Sequence, residues 1–136
     1  PLGKLRYLAT ASPAFVARHF PRGIGAASLA QAPSLRFNRK DALQDRWIRR
    51  VAGRAVDTPH HWLPSTASFV EAARLGVGWG MNPEPLVRPL IAAGELVELV
   101  PGRPLDTPLH WQHPRLSTDA LDRLTQAVAA AAKTLR

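Results

Sequence analysis

SFVEAARLGVGWGMNPEPLVRPLIAAGELVEL, residues 68–99, twice repeats one unit: a helical run, a glycine and a short apolar strand. Ser65-Thr66 caps the first helix, ASFVEAARL (67–75), because a hydroxyl accepts from the unpaired N–H groups of the first turn. Gly76 follows at the C′ position, where a left-handed backbone closes a helix. VGWGM (77–81) reads as a strand whose glycines allow close backbone approach. Asn82-Pro83 opens EPLVRPLIAAG (84–94). Pro85 suits the first turn, whereas Pro89 predicts a kink or a short helix. Gly94 ends it and ELVELV (95–100) is the next strand.

The same alternation extends outward. Leu5, Tyr7 and Ala9 alternate with Arg6 and Leu8, a strand over 4–11. Ser12-Pro13 caps AFVARHF (14–20). A helical turn, SLAQA (28–32), leads to the strand SLRFN (34–38). Asn38 or Asp41 opens ALQDRWIRRVAG (42–53), whose Leu43, Trp47, Ile48 and Val51 share one face. HHWLP (60–64) is a third strand. PGRPLDTP (101–108) reads as a loop and LHWQHP (109–114) as a sixth strand. Ser117, followed by Asp119 and Asp122, begins a last helix with the apolar stripe Leu121, Leu124, Val128, Ala131 and Leu135. Strands alternating with helices predict an α/β layer with a mostly parallel central sheet, flanked by helices on both faces.

Bulk properties exclude several classes. The 136 residues suit one domain, and 46% hydrophobic with 21% charged residues reads as globular. The absence of cysteine excludes a thiol nucleophile, a disulfide scaffold and a Cys-based zinc site. No apolar run is long enough to cross a bilayer and no signal peptide opens the chain. The sequence begins without Met, as expected of a processed or excised piece. The net charge of +8 is spread along the chain. Its one dense patch, Arg46, Arg49, Arg50 and Arg54, reads as a solvated helix face, with no nucleic-acid motif beside it.

The chemistry points to binding. There is no nucleophile elbow, no P-loop and no GxGxxG, so neither an enzyme nor a cofactor is expected. His60 and His61 are adjacent in a strand and face opposite ways; with His110 and His113 they complete no metal-ligand set. In open α/β sheets, ligands bind outside the carboxyl ends of the strands. Four strands here end in capping residues: Thr10-Ser12, Asn38-Asp41, Ser65-Thr66 and Asn82-Pro83. Such helix openings, gathered along one cleft, suit a carboxylate. Asp41 and Asp45, one helical turn apart, share a face, and Asp41 at a cleft suits a cationic group.

FVEAARLGVGWGMNPEPLVRPLIAAGELVELVPG resembles the late part of the effector-binding domain of LysR-type transcriptional regulators. LGKLRYLATASPAFVARHFP, APSLRFNRKDALQD and LHWQHPRL resemble the lysine- and arginine-responsive branch, also called chromosome replication initiation inhibitor. The resemblance covers essentially the whole chain. It implies a periplasmic-binding-protein-like (type 2) fold, mainly its second lobe. Residues 1–11 would be the crossover strand from the first lobe, 12–100 the second lobe, and 101–136 the return strand and C-terminal helix of the first. The N-terminal helix-turn-helix would lie outside this sequence.

The implied function is sensing a basic amino acid, lysine or arginine, in an interlobe cleft. The alternative is a solute-binding-protein-like lobe without a transcriptional role. Implied partners are the small effector, DNA through the absent N-terminal domain, and a homodimer or homotetramer; the implied setting is cytoplasmic, with no membrane. The carried-over ligand positions are Thr10, Ser12, Phe37, Asn38, Asp41, Ser65, Thr66, Met81 and Asn82. Asp41 matches recognition of a basic side chain, since a buried cation needs a paired anion. Arg39 and Lys40 would repel such a ligand unless they point outward. The last helix is expected to leave Leu121, Leu124 and Val128 poorly covered, for want of the early first lobe.

Overall fold

A computed structural model describes residues 1–115 and 118–135. Its strands are β1 (Gly3–Ala11), β2 (Ser34–Arg36), β3 (His60–Trp62), β4 (Gly80–Pro83), β5 (Val97–Glu98) and β6 (Leu105–Leu109). The helices are α1 (Pro13–His19), α2 (Ala26–Leu29), α3 (Leu43–Ala52), α4 (Thr66–Arg74), α5 (Glu84–Ala92) and α6 (Asp119–Ala131). The chain forms two compact units, one of Tyr7–Leu105 and one of Pro1–Arg6 with Asp106–Arg136.

The mostly parallel sheet does not appear. β1 pairs antiparallel with β4 on one side, Tyr7 opposite Pro83 and Thr10 opposite Gly80, and antiparallel with β5 on the other. β2 and β3 pair in parallel, Ser34 opposite His60 and Arg36 opposite Trp62. A parallel bridge between Ser34 and Trp79 sets β2 beside the start of β4. β2, β3, β4 and β5 therefore all run one way, as successive β–α units should. β1 runs against them and sits between β4 and β5. Hydrophobic periodicity identifies strands but does not give their direction, so the one reversed strand was invisible to it.

Alternation along β1 and β4 feeds two separate cores. Ala9, Ala11, Trp79 and Met81 join Phe15, Leu29, Trp47 and Ile48 on the face covered by α1, α2 and α3. Leu8 and Leu35 join Phe69, Ala73, Val87 and Leu96 on the face covered by α4 and α5. Trp47 and Trp79 pack together with ring centroids 5.2 Å apart.

The glycines of the opening stretch have separate reasons. After α4, Gly76 takes φ +78°, its N–H donates to the Ala73 carbonyl, and the Val77 N–H donates to that of Ala72. This is the paired closure of a Schellman motif, which α5 repeats with Gly94 and Glu95. Gly80 serves contact instead: a Cβ there would lie 2.5 Å from Cε1 of Phe69, so α4 rests directly on the backbone of β4.

Other boundaries moved. β4 begins at Gly80 rather than 77, and Asn82 lies inside it; the N-cap of α5 is Pro83, which offers no side chain to cap. α5, with Pro89 inside, is short at nine residues. The sixth strand is Leu105–Leu109, which lies in the expected loop except for Leu109, and not 109–114. Pro104 and Pro108 disguised it, although Pro108 costs a strand only the donor it lacks. Thr118 caps α6, accepting from the Leu121 N–H at 3.2 Å; Ser117, the expected start, lies outside the described residues. No described residue of α6 is buried, and Leu124 is 50% exposed. No helix among the described residues is long and apolar enough to cross a membrane.

Substituting Gly80→Ala should destabilise the fold by about 1–3 kcal/mol, because the added methyl must displace the Phe69 ring. Urea denaturation checks this, and the double variant Gly80→Ala/Phe69→Leu should recover part of the loss.

Candidate functional site

The strand directions decide which helix openings share an end. β2, β3 and β4 all finish at one end of the sheet. Beyond β2 come Phe37, Asn38 and Asp41; beyond β3 come Ser65 and Thr66; β4 ends with Asn82-Pro83. The Leu63 N–H donates to the Arg36 carbonyl at 2.9 Å, which keeps the first two segments side by side. Because β1 is reversed, Tyr7 and not Ser12 reaches this end, opposite Pro83.

Ser12 caps α1 as expected, accepting from the Phe15 N–H at 3.1 Å. It does so at the far end of the sheet, where its Oγ is 3.2 Å from the position of a Cβ on Gly76. At ~3.3 Å per strand residue, roughly 15 Å of sheet separates Ser12 from Phe37. An open cavity of about 480 Å³ adjoins Ser12 there, lined also by Arg18, His19, Arg74 and Glu95. It belongs to a different surface from Asp41.

Three further candidates are sealed inside. Met81 is 3% exposed, in the core beneath α1 and α3. Thr10 and Asn82 are fully buried, and the Asn82 Nδ2 donates to Thr10 Oγ1 at 3.0 Å. The pair thus clasps β1 to β4 while Asn82 Oδ1 is left without a partner. Accessible at the common end are Phe37 (38% exposed), Asn38 and Thr66, with Asp41 and Ser65 half-buried. Ser65 caps α4, accepting from the Ser68 N–H at 3.4 Å.

Asp41 is not a helix cap in the ordinary position; the N-cap of α3 is Ala42. Its carboxylate holds the preceding loop instead. Oδ2 accepts from the Phe37 N–H at 2.9 Å and Oδ1 from the Leu43 N–H at 3.1 Å. Asn38 Oδ1 accepts from the Lys40 N–H at 2.9 Å, which tightens the same turn. Arg39 and Lys40 are exposed. Tyr7 is the residue that sequence reasoning missed. Burial and, secondly, the nearby Asp41 carboxylate raise its phenol above the ordinary tyrosine value.

Asp45, paired with Asp41 in the sequence reading, has another occupation. Arg36 on β2 grips it bidentately, at 2.8 and 3.0 Å, and so fastens α3 over the end of β2. The Arg36 side chain is only 11% exposed. Its hydrogen bonds hold the Asp45 carboxyl below the usual carboxylate range. Stability from this pair is therefore present at neutral pH and lost as pH falls through that depressed value. Among the described residues Asp41 forms no salt bridge, although its charge acts on the Arg36 guanidinium that Asp45 holds. Among the described residues no three His, Asp or Glu gather to hold a metal ion.

Asp45→Asn should cost about 1–2 kcal/mol at pH 7, since it leaves a mostly buried guanidinium without its anion. At about pH 3, below the usual carboxylate range, the gap to the unsubstituted chain should shrink. Urea titrations at the two pH values read both effects.

The family model of the LysR substrate binding domain matches residues 1–133 of the chain. The transcriptional regulator LysG of Mycobacterium tuberculosis is 46% identical over 135 residues, 99% of this chain and 44% of that protein. The chain thus spans less than half the length of that relative. The C-terminal domains of a LysR family protein from Agrobacterium tumefaciens superpose with a TM-score of 0.96 at 55% identity, covering 99% of this chain and 66% of that one. Full-length LysG from Corynebacterium glutamicum, with arginine bound as effector, superposes with a TM-score of 0.84 at 42% identity, covering 99% and 46%. On this evidence, the chain belongs to the LysR substrate-binding domain family, with the α/β fold of its effector domains.

Proposed function

We propose that this chain is the greater part of the effector-binding domain of a LysR-type transcriptional regulator that senses a basic amino acid. One observation carries the reading: at the shared end of β2, β3 and β4, Asp41 is a half-buried carboxylate that forms no salt bridge with any described cationic side chain. The neighbouring carboxylate, Asp45, is consumed by Arg36, and Arg39 and Lys40 are turned to solvent. A half-dry anion of this kind favours a cation from outside. The arginine bound to the C. glutamicum LysG supports the same ligand class.

The N–H groups opening α4 behind Ser65 and the Thr66 hydroxyl are suited to the ligand's carboxylate. In this reading Tyr7–Leu105 is the second lobe of a periplasmic-binding-protein-like (type 2) pair. The remainder belongs to the first lobe, and the half-buried face of α6 is completed by the rest of that lobe. Binding closes the lobes and shifts the geometry of DNA held by an N-terminal helix-turn-helix in a homodimer or homotetramer, in the cytoplasm. Closure does work only to the extent that the ligand prefers the closed state.

Isothermal titration of the full-length regulator with arginine, lysine and leucine tests the proposal. Both basic amino acids should bind and leucine should not. Asp41→Asn keeps one of the loop's two acceptors while it removes the charge, and should weaken arginine by about tenfold or more, equivalent to ~1.4 kcal/mol. Leucine binding as tightly as arginine, or an unchanged arginine affinity in Asp41→Asn, would refute it.

A further inference from the structure

The effector end of the sheet has a feature that charge alone does not explain. The Asp41 carboxylate is fixed by two backbone donors, one on each oxygen: Phe37 N–H on Oδ2 and Leu43 N–H on Oδ1. A carboxylate oxygen has two lone-pair sites, so each oxygen keeps one open and the plane of the group cannot turn. Such a carboxylate keeps an acceptor site on each of its two oxygens in a fixed position. That geometry fits the planar fork of a guanidinium, whereas an ammonium, a point charge, gains little from the second site.

Tyr7 lies at the same end, near enough for the Asp41 charge to act on its phenol. Its strand position, opposite Pro83, brings it to the end of the sheet where Asp41 lies. Its ring packs on the same core cluster as Leu43, the residue whose N–H Asp41 accepts. The side chain is half-buried. A half-buried aromatic face next to an oriented carboxylate can stack a flat cation while the carboxylate takes its N–H groups. The phenol is neutral at pH 7, as tyrosines ordinarily are, and adds no competing negative charge.

Building on the basic-effector reading above, we propose that Tyr7 is a specificity-determining residue, which with the fixed Asp41 carboxylate selects a guanidinium over an ammonium effector. Tyr7 supplies the stacking face and Asp41 the fork.

The test compares arginine and lysine by isothermal titration of the full-length regulator, in three forms: unsubstituted, Tyr7→Leu and Tyr7→Phe. The unsubstituted protein should prefer arginine. Tyr7→Leu should weaken arginine by roughly 3- to 30-fold and lysine by less, so that the preference collapses. Tyr7→Phe keeps the ring and should keep the preference, which separates stacking from a packing defect. Equal losses for both ligands, or an unchanged ratio in Tyr7→Leu, would overturn the role of Tyr7 while leaving the basic-effector reading in place. Failure of the unsubstituted protein to bind either amino acid removes that reading, and this inference with it.

Discussion

One reversed strand organises the larger unit. β1 lies between β4 and β5 and opposes both. Its nine residues form the longest strand, and its alternate side chains feed the cores on both faces of the sheet. Burial of those two cores is the main stabilising term available to a sheet covered on both sides. Because β1 is reversed, its carboxyl end points away from those of β2, β3 and β4. Tyr7 arrives where a parallel strand would have brought Ser12. The polar clasp between Thr10 and Asn82 then fixes the register between β1 and β4, since a slip of one residue would exchange the two faces.

Much of this was legible in the sequence. The helix–glycine–strand unit of residues 68–99 named both of its helices correctly, because glycine in a left-handed cap leaves a plain local mark. The caps at Ser12 and Ser65 were legible for the same reason. Strand direction was not, as no local pattern encodes it. β6 was hidden by its prolines, and Asn82 looked like a cap because Asn followed by Pro so often is one. The candidate site was half readable. Phe37, Asn38, Asp41, Ser65 and Thr66 do gather at one end, whereas Thr10, Met81 and Asn82 are interior and Ser12 lies at the other end. Tyr7 could have been suspected from its polar tip at an apolar-alternation position, but only the pairing with β4 shows where it stands.

Asp41 and Asp45 show how environment divides the work of two equal side chains. Asp45 meets a guanidinium on β2 and becomes a fastening between helix and sheet. Asp41 takes its hydrogen bonds from neutral backbone N–H groups, with the Arg36 guanidinium near enough to feel its charge but bonded to Asp45 instead. Four residues of spacing suggested a shared face, but α3 begins at Leu43, so the helical relationship never forms.

The unequal furnishing of the two cores has an optical consequence. Trp47 and Trp79 pack in a tilted pair within the layer under α1, α2 and α3, whereas the described core residues under α4 and α5 include no indole. Intrinsic emission from the buried indoles of this unit is thus a one-sided witness. Loosening of α4 or α5 alone would leave the emission of these two indoles almost unchanged, and amide exchange or a ring signal from Phe69 would be needed to register it.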